Sequence, residues 1–232
     1  MRKNRRAKYF FIFPAIIWVL AFTIFPLIYS LGLSFFRVRL GRPAQFVGLN
    51  NFARIFSDYK VGNSLKVTLL YVAITVSIQL ILGTLIALLF NQEMRGKNIF
   101  RALLILPIFC TPVAVGYLGL TIFYEEGGPI NSILMSLFNL KIPWLSSRIW
   151  AWVAVLLLDI WQWTHFCFLV ILAGLQSLPE EIYDAAYIDS SSEWEIFRKI
   201  TFPMIQPVIM VVLLLRLIES FKIFDVVYSL TG

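Results

Sequence analysis

Polar side chains set inside long apolar runs are where this sequence could do chemistry. Asp159, Gln162 and His165 recur every three residues among Trp161 and Trp163, which places them on a slowly drifting stripe of one helix face. In hydrocarbon such groups cost free energy and are functional candidates by default. Two readings stand side by side. One is a polar and aromatic lining for a sugar, its hydroxyls held by convergent hydrogen bonds and its ring stacked on a face such as Trp163. The other is a set of hydrogen bonds that hold neighbouring helices together. Arg216, Glu219, Lys222 and Asp225 keep the same spacing with alternating sign. They read first as a self-neutralising ladder of i,i+3 pairs, and second as a cavity wall, with Arg216 and Glu219 on a substrate path. Gln79 stands alone on its run and reads as a residue that hydrogen-bonds a neighbouring helix and holds the bundle together. Gly96-Lys97-Asn98 lacks the first glycine and the hydroxyl of a phosphate loop. With no metal-ligand spacing and no nucleophile–base–acid set, the sequence predicts a chain without catalytic residues or a metal.

The elements that must position these residues are apolar. Of 232 residues, 59% are hydrophobic and only 14% charged, with a mean hydropathy of +0.81. That composition excludes an ordinary soluble domain and predicts an all-α, polytopic membrane helix bundle. The net charge of +7 is spread over loops without a basic aromatic patch, so it points to membrane topology and not to nucleic acid. Apolar runs cover Tyr9–Phe36, Val67–Phe90, Ala102–Tyr124 and Ile149–Leu175, each long enough to cross roughly 30 Å of hydrocarbon. A fifth starts near Pro203 and fades near Val227. Pro14 and Pro26 should bend the first, and Pro107 and Pro112 interrupt the third. The first run is too long for a cleaved signal peptide. Arg37–Lys66 reads as a polar connector and Asn131–Leu140 as a short interfacial helix. Cys110 and Cys167 fall inside apolar runs and read as small packing residues.

One segment breaks this pattern. Ser177–Pro207 holds six of the thirteen acids. Glu180 and Glu181 sit in a first turn opened by Pro179, predicting a helix to about Ile188. Asp189-Ser190-Ser191 favours a turn, and Ser192-x-x-Glu195 is a capping box that restarts a helix through Trp194, Phe197 and Ile200. Such an acidic knob would be repelled by an anionic bilayer surface, so a protein partner is the better reading.

Asp184-Ala185-Ala186-x-x-Asp189, followed by Phe197, Ile200, Pro203 and Pro207, resembles the "EAA" loop of inner-membrane permeases from binding-protein-dependent ABC importers. Asp184 stands for the motif's Glu, while Ser190 and Ser191 replace its Gly-Ala. A serine at a positive-φ corner would cost about 1–2 kcal/mol if the same backbone is kept. Phe221–Asp225 and Leu230-Thr231-Gly232 are similar to the sugar-uptake branch, that of maltose- and glycerol-phosphate-type permeases, ahead of its last helix. The resemblance implies a single transmembrane permease domain over 1–232, with five spanning helices present and a sixth missing. It makes 177–207 a cytoplasmic loop docking on an ATPase, through Glu181, Asp184, Ala185, Ala186, Asp189, Ser190, Phe197, Ile200 and Pro203. It further implies a second permease as heterodimer partner, two cytoplasmic ATPases that hold the ATP and Mg²⁺, and an extracytoplasmic solute-binding protein. The chain itself would carry no cofactor and lie in the inner or plasma membrane of a prokaryote, its basic N-terminus cytoplasmic. A secondary transporter or a truncated, non-transporting membrane protein are the alternatives.

Overall fold

The computed structural model describes residues 5–92, 95–188 and 192–232. Among the described residues the chain is helical apart from one hairpin, and it divides into two compact units, Met1–Lys66 and Val67–Gly232. Tyr9–Ser34, Tyr59–Asn91, Arg148–Gln176 and Glu193–Ser220 are long and apolar enough to cross a membrane, and a bent helix pair raises the number of candidate spans to five.

The first unit opens with α1 (Arg5–Val19), a π-helical stretch Leu20–Ile24 and α2 (Phe25–Ser34). Pro26 has no N–H to offer the carbonyl four residues back. The Phe25 N–H instead reaches the Leu20 carbonyl, so the irregularity is taken up as a π-turn just ahead of the proline. The connector, expected to be merely polar, is folded. β1 (Phe36–Arg39) pairs antiparallel with β2 (Arg42–Phe46), Gly41 takes φ +76° at the turn, and α3 (Asn50–Ser57) follows. The Asn51 amide donates to the carbonyls of Ser34 (2.8 Å) and Phe36 (3.0 Å), tying α3 to the end of α2.

α4 (Tyr59–Asn91) starts eight residues earlier than the apolar run predicts. In the second unit it runs parallel to α8 (Arg148–Gln176): a Cβ on Gly83 would meet the Cys167 Cβ at 2.6 Å, and Phe90 meets Phe168 edge-on at 5.4 Å. Two parallel helices need a return crossing between them. The third run supplies it as a broken helix: α5 (Lys97–Ile105) with the 3₁₀ turn Leu106–Phe109, then α6 (Pro112–Ile122), bent by 100°. The interruption expected at Pro107 and Pro112 is thus a full break in the helix. Pro107 and Pro112 remove helix donors on both sides of Cys110 and Thr111, whose backbones are extended. Cys110 is exposed at this break, against expectation, whereas Cys167 is buried.

α7 (Pro129–Phe138) ends on Asn139 in the left-handed conformation. The Asn131 side chain organises the surrounding loop, donating to the Glu125 and Ile142 carbonyls and accepting from Ile142 N–H and Trp144 Nε1–H. After α8 come α9 (Glu180–Ile188) and α10 (Glu193–Ile196). A π-turn Phe197–Thr201 then leads into α11 (Phe202–Ser220), so α10 begins the fifth span and is not a separate short helix. This span stops at Ser220, and Val227 lies in α12 (Asp225–Thr231), packed so closely on α6 that a Cβ on Gly116 would strike Ser229. Two apolar clusters make the core of this unit. One gathers Val72 and Val76 with Val115, Val155 and Leu158; the other gathers Ala87 and Phe90 with Phe168, Leu172 and Ile205.

Candidate functional site

α9 presents two faces. Glu181, Asp184, Ala185 and Ile188, at i, i+3, i+4 and i+7, are exposed together, one stripe of a helix. Ala186 turns inward and is 6% exposed. Tyr183 OH lies 3.2 Å from Thr201 Oγ1, and Tyr187 OH donates to Glu193 Oε1 at 3.2 Å, so α9 is fastened to the base of α10 and α11. Ser192 Oγ accepts from the Glu195 N–H as the capping box requires. Trp194 stacks on Phe197 at 5.6 Å; Phe197 and Ile200 are half-buried and Pro203 is exposed. Asp189 and Ser190 lie outside the described residues. A cleft of about 410 Å³ opens between this knob and the end of α4, lined by Asn91, Gln92, Asp184 and Tyr187 among others. The knob and the C-terminal end of α4 at Asn91 and Gln92 are thus at the same end of the unit.

Between the two apolar clusters lies a polar layer. Gln79 Nε2 donates to Asp159 Oδ2 (2.8 Å) and to the Asp159 carbonyl (3.1 Å). Arg216 Nε donates to Gln79 Oε1 (2.9 Å), and its Nη2 reaches Asp159 Oδ2 (3.4 Å) and Ser220 Oγ (3.0 Å). The guanidinium sits 4.6 Å from the centre of the Trp163 ring, a favourable seat for a desolvated cation. Arg216 is 1% exposed. Its charge is therefore tolerated only because carboxylate, amide, hydroxyl and ring surround it. The ladder expected on α11 forms in part: Glu219 pairs with Lys222 at 2.8 Å, both exposed, while Arg216 turns away to α4 and α8.

The stripe on α8 does not converge. Asp159 faces the polar layer, but Gln162 donates to the Cys110 carbonyl (2.7 Å), bracing the broken helix. Its Oε1 has no partner among the described residues, nor does His165 Nδ1. His165 lines a cleft of about 440 Å³ at the break, with Trp161, Cys110, Pro107, Leu106 and Phe100.

Residues 79–232 match the family of binding-protein-dependent transport system inner membrane components. The chain belongs to that family. As a permease subunit it is not itself catalytic. Its relatives belong to the carbohydrate-uptake class, as the resemblance implied. The trehalose/maltose transport system permease protein MalF of Thermococcus litoralis is 36% identical over 99% of this chain and 79% of its own length. The trehalose transport system permease protein SugA of Mycobacterium tuberculosis is 34% identical over 99% of this chain and 74% of its own. A permease chain from the crystal structure of a bacterial alginate ABC transporter, in complex with an alginate pentasaccharide-bound periplasmic protein, superposes with a TM-score of 0.81. At 23% identity, over 97% of this chain and 78% of that one, it shares the fold.

In this permease, then, Asp159, Trp163 and Arg216 come together, Gln162 and His165 gather at the break, and Glu219 stands apart on the surface. Gln79, read from the sequence as a residue that holds neighbouring helices together, does so as the hub of the polar layer. The one signal for that role is its glutamine side chain at mid-span, where every polar group needs a partner.

Proposed function

We propose that the chain is a membrane-spanning permease subunit of an ATP-driven importer for sugars or sugar-like solutes, a single permease domain over 1–232. The loop 177–207 docks on a cytoplasmic ATPase through the exposed α9 stripe of Glu181, Asp184, Ala185 and Ile188, and Asp189 and Ser190 share in the docking as members of the same sequence motif. Ala186, Phe197, Ile200 and Pro203 shape the seat behind that stripe. ATP and Mg²⁺ belong to the two ATPase partners. A second permease completes the pore and a solute-binding protein delivers the solute from the other side. The N-terminus is then cytoplasmic, together with the 92–96 turn and the knob.

The similarity to a trehalose/maltose permease along nearly the whole chain carries this reading. The solute path follows the cleft at the broken helix. There Trp161 and His165 line the wall, and the unpartnered Gln162 Oε1 and His165 Nδ1 lie buried behind it. Asp159, Trp163 and Arg216 form a deeper wall, and Glu219 belongs to the path only by its place on the same helix as Arg216.

Uptake of labelled trehalose or maltose into proteoliposomes holding the complete transporter tests this. ATP should drive accumulation, and Asp184→Lys or Ile188→Asp should reduce it about tenfold or more, a loss of about 1.4 kcal/mol in docking, with the permease still in the membrane. Full uptake by Asp184→Lys would remove the docking assignment. Accumulation driven by an ion gradient without ATP would replace the importer with a secondary carrier.

A further inference from the structure

The folded connector between the first two spans carries a second, separate feature. Residues 36–66 hold Arg37, Arg39, Arg42, Arg54, Lys60 and Lys66 against a single acid, Asp58. None of these cations forms a salt bridge within the described residues, and Arg37 Nε is shut off from solvent without an acceptor. Arg39 and Arg42 are directly paired across the hairpin. Like charges in that position destabilise a hairpin, unless an anion lies between them.

The same surface is apolar. Leu40 at the hairpin tip is fully exposed, as are most of Phe46 and Leu49, and Phe56 on α3 is 91% exposed. The inward residues of α3 are accounted for, since Phe52 packs on Phe35 at 5.8 Å and Asn51 holds the carbonyls of Ser34 and Phe36. The outward ones are not. Cations alternating with protruding apolar side chains on an amphipathic helix and a hairpin tip are the pattern of a segment lying in a membrane interface.

Chain connectivity fixes where this surface must be. The first candidate span ends at Ser34 and the helix of the second begins at Tyr59, eight residues ahead of its apolar run, so the connector is joined at both ends to a spanning helix and held close to the bilayer surface.

We infer that the Phe36–Lys60 connector is an anionic-phospholipid clamp. Guanidinium groups of Arg37, Arg39, Arg42 and Arg54 hold headgroup phosphates, bidentate where geometry allows, while Leu40 and Phe56 enter the acyl boundary. The clamp would brace the first span against the membrane independently of transport, and the family match, which begins at Gln79, does not reach it.

The test uses the full chain in nanodiscs of phosphatidylcholine alone or with one-third phosphatidylglycerol. Nitroxide labels are placed at L40C or F56C in a background with Cys110→Ser and Cys167→Ala, with I218C on the exposed face of α11 as fold control. With phosphatidylglycerol, labels at 40 and 56 should become more accessible to oxygen and less to a water-soluble nickel chelate. R37Q/R39Q/R42Q/R54Q should abolish that change and leave the I218C label as it was. Water-accessible labels in both lipids, or equal burial with and without phosphatidylglycerol, would overturn the inference. A change that appears only when a soluble solute-binding protein is added would assign the surface to that protein instead.

Discussion

Arg216 concentrates the electrostatic risk of this permease. Its charge is buried against Asp159, with Gln79 bridging both, and a buried charge that loses its partner costs far more than the pair is worth. Arg216→Met should therefore destabilise the detergent-solubilised chain by about 3–5 kcal/mol, read as a lower midpoint in thermal unfolding. Asp159→Asn combined with Arg216→Met should recover a large part of that loss, because no uncompensated charge remains. Additive losses in this cycle would mean that the two side chains do not interact as a pair. Sequence spacing found Asp159 and Arg216 but not their partnership. Gln79 lies 80 residues from one and 137 from the other, and periodicity along a helix says nothing about which faces meet. Periodicity ranks each residue on its own run, so it groups the α8 stripe as one surface although its members serve two.

At the scale of elements, helices with strong end signals were legible. α9 runs Glu180–Ile188 and Ser192 caps α10 as the residue pattern indicated, because caps and first-turn acids are local physics. The prolines marked where the first and third runs are irregular, but the hairpin, the π-helical form of the turns before Pro26 and Pro203 and the 100° size of the bend were not legible, since each depends on how freed backbone groups are re-satisfied. The loop around α7 illustrates a tertiary device that only the structure shows. The Glu125 carboxylate accepts from the N–H groups of Ser146 (2.6 Å) and Leu145 (2.8 Å) and from the Ser146 hydroxyl (3.0 Å). Those backbone donors, Ser146 first, hold its pKa below the ordinary glutamate value of 4.5. The sign follows: a carboxylate with a depressed folded pKa stabilises the loop above the ordinary value, and the contribution disappears as pH falls through the folded one. Hydrogen exchange at Leu145 and Ser146, corrected for intrinsic rates, should show protection that is constant above the ordinary glutamate value and lost as pH falls below it through the depressed folded one. Glu125→Gln should exchange faster at neutral pH and lose this acid dependence. Identical pH profiles for the two proteins would exclude Glu125 as the clamp.

For the whole molecule, the question is how motion at the knob reaches the pore. Glu193–Ser220 is one helical rod interrupted only by the π-turn at Phe197–Thr201. It carries α10 at one end and Arg216 of the polar layer near the other. α9 is joined to that rod through Tyr183 OH and Thr201 Oγ1, so displacement of α9 acts on α11 through this contact as well as through the chain. A ligand-driven shift requires the two states to differ in the contacts they make, and this polar contact at the π-turn is where the two helices can be uncoupled without altering the docking stripe. Tyr183→Phe removes the hydroxyl and leaves the ring, a loss of about 0.5–1.5 kcal/mol. In the reconstituted transporter the variant should keep its ATPase partners and hydrolyse ATP, yet move fewer sugars per ATP, by roughly two- to tenfold if the whole loss falls on the coupled state. Asp184→Lys, by contrast, should lose the ATPases themselves. The ratio of uptake to hydrolysis separates the two mechanisms, and an unchanged ratio in Tyr183→Phe would show that motion passes from α9 to α11 along the intervening chain alone.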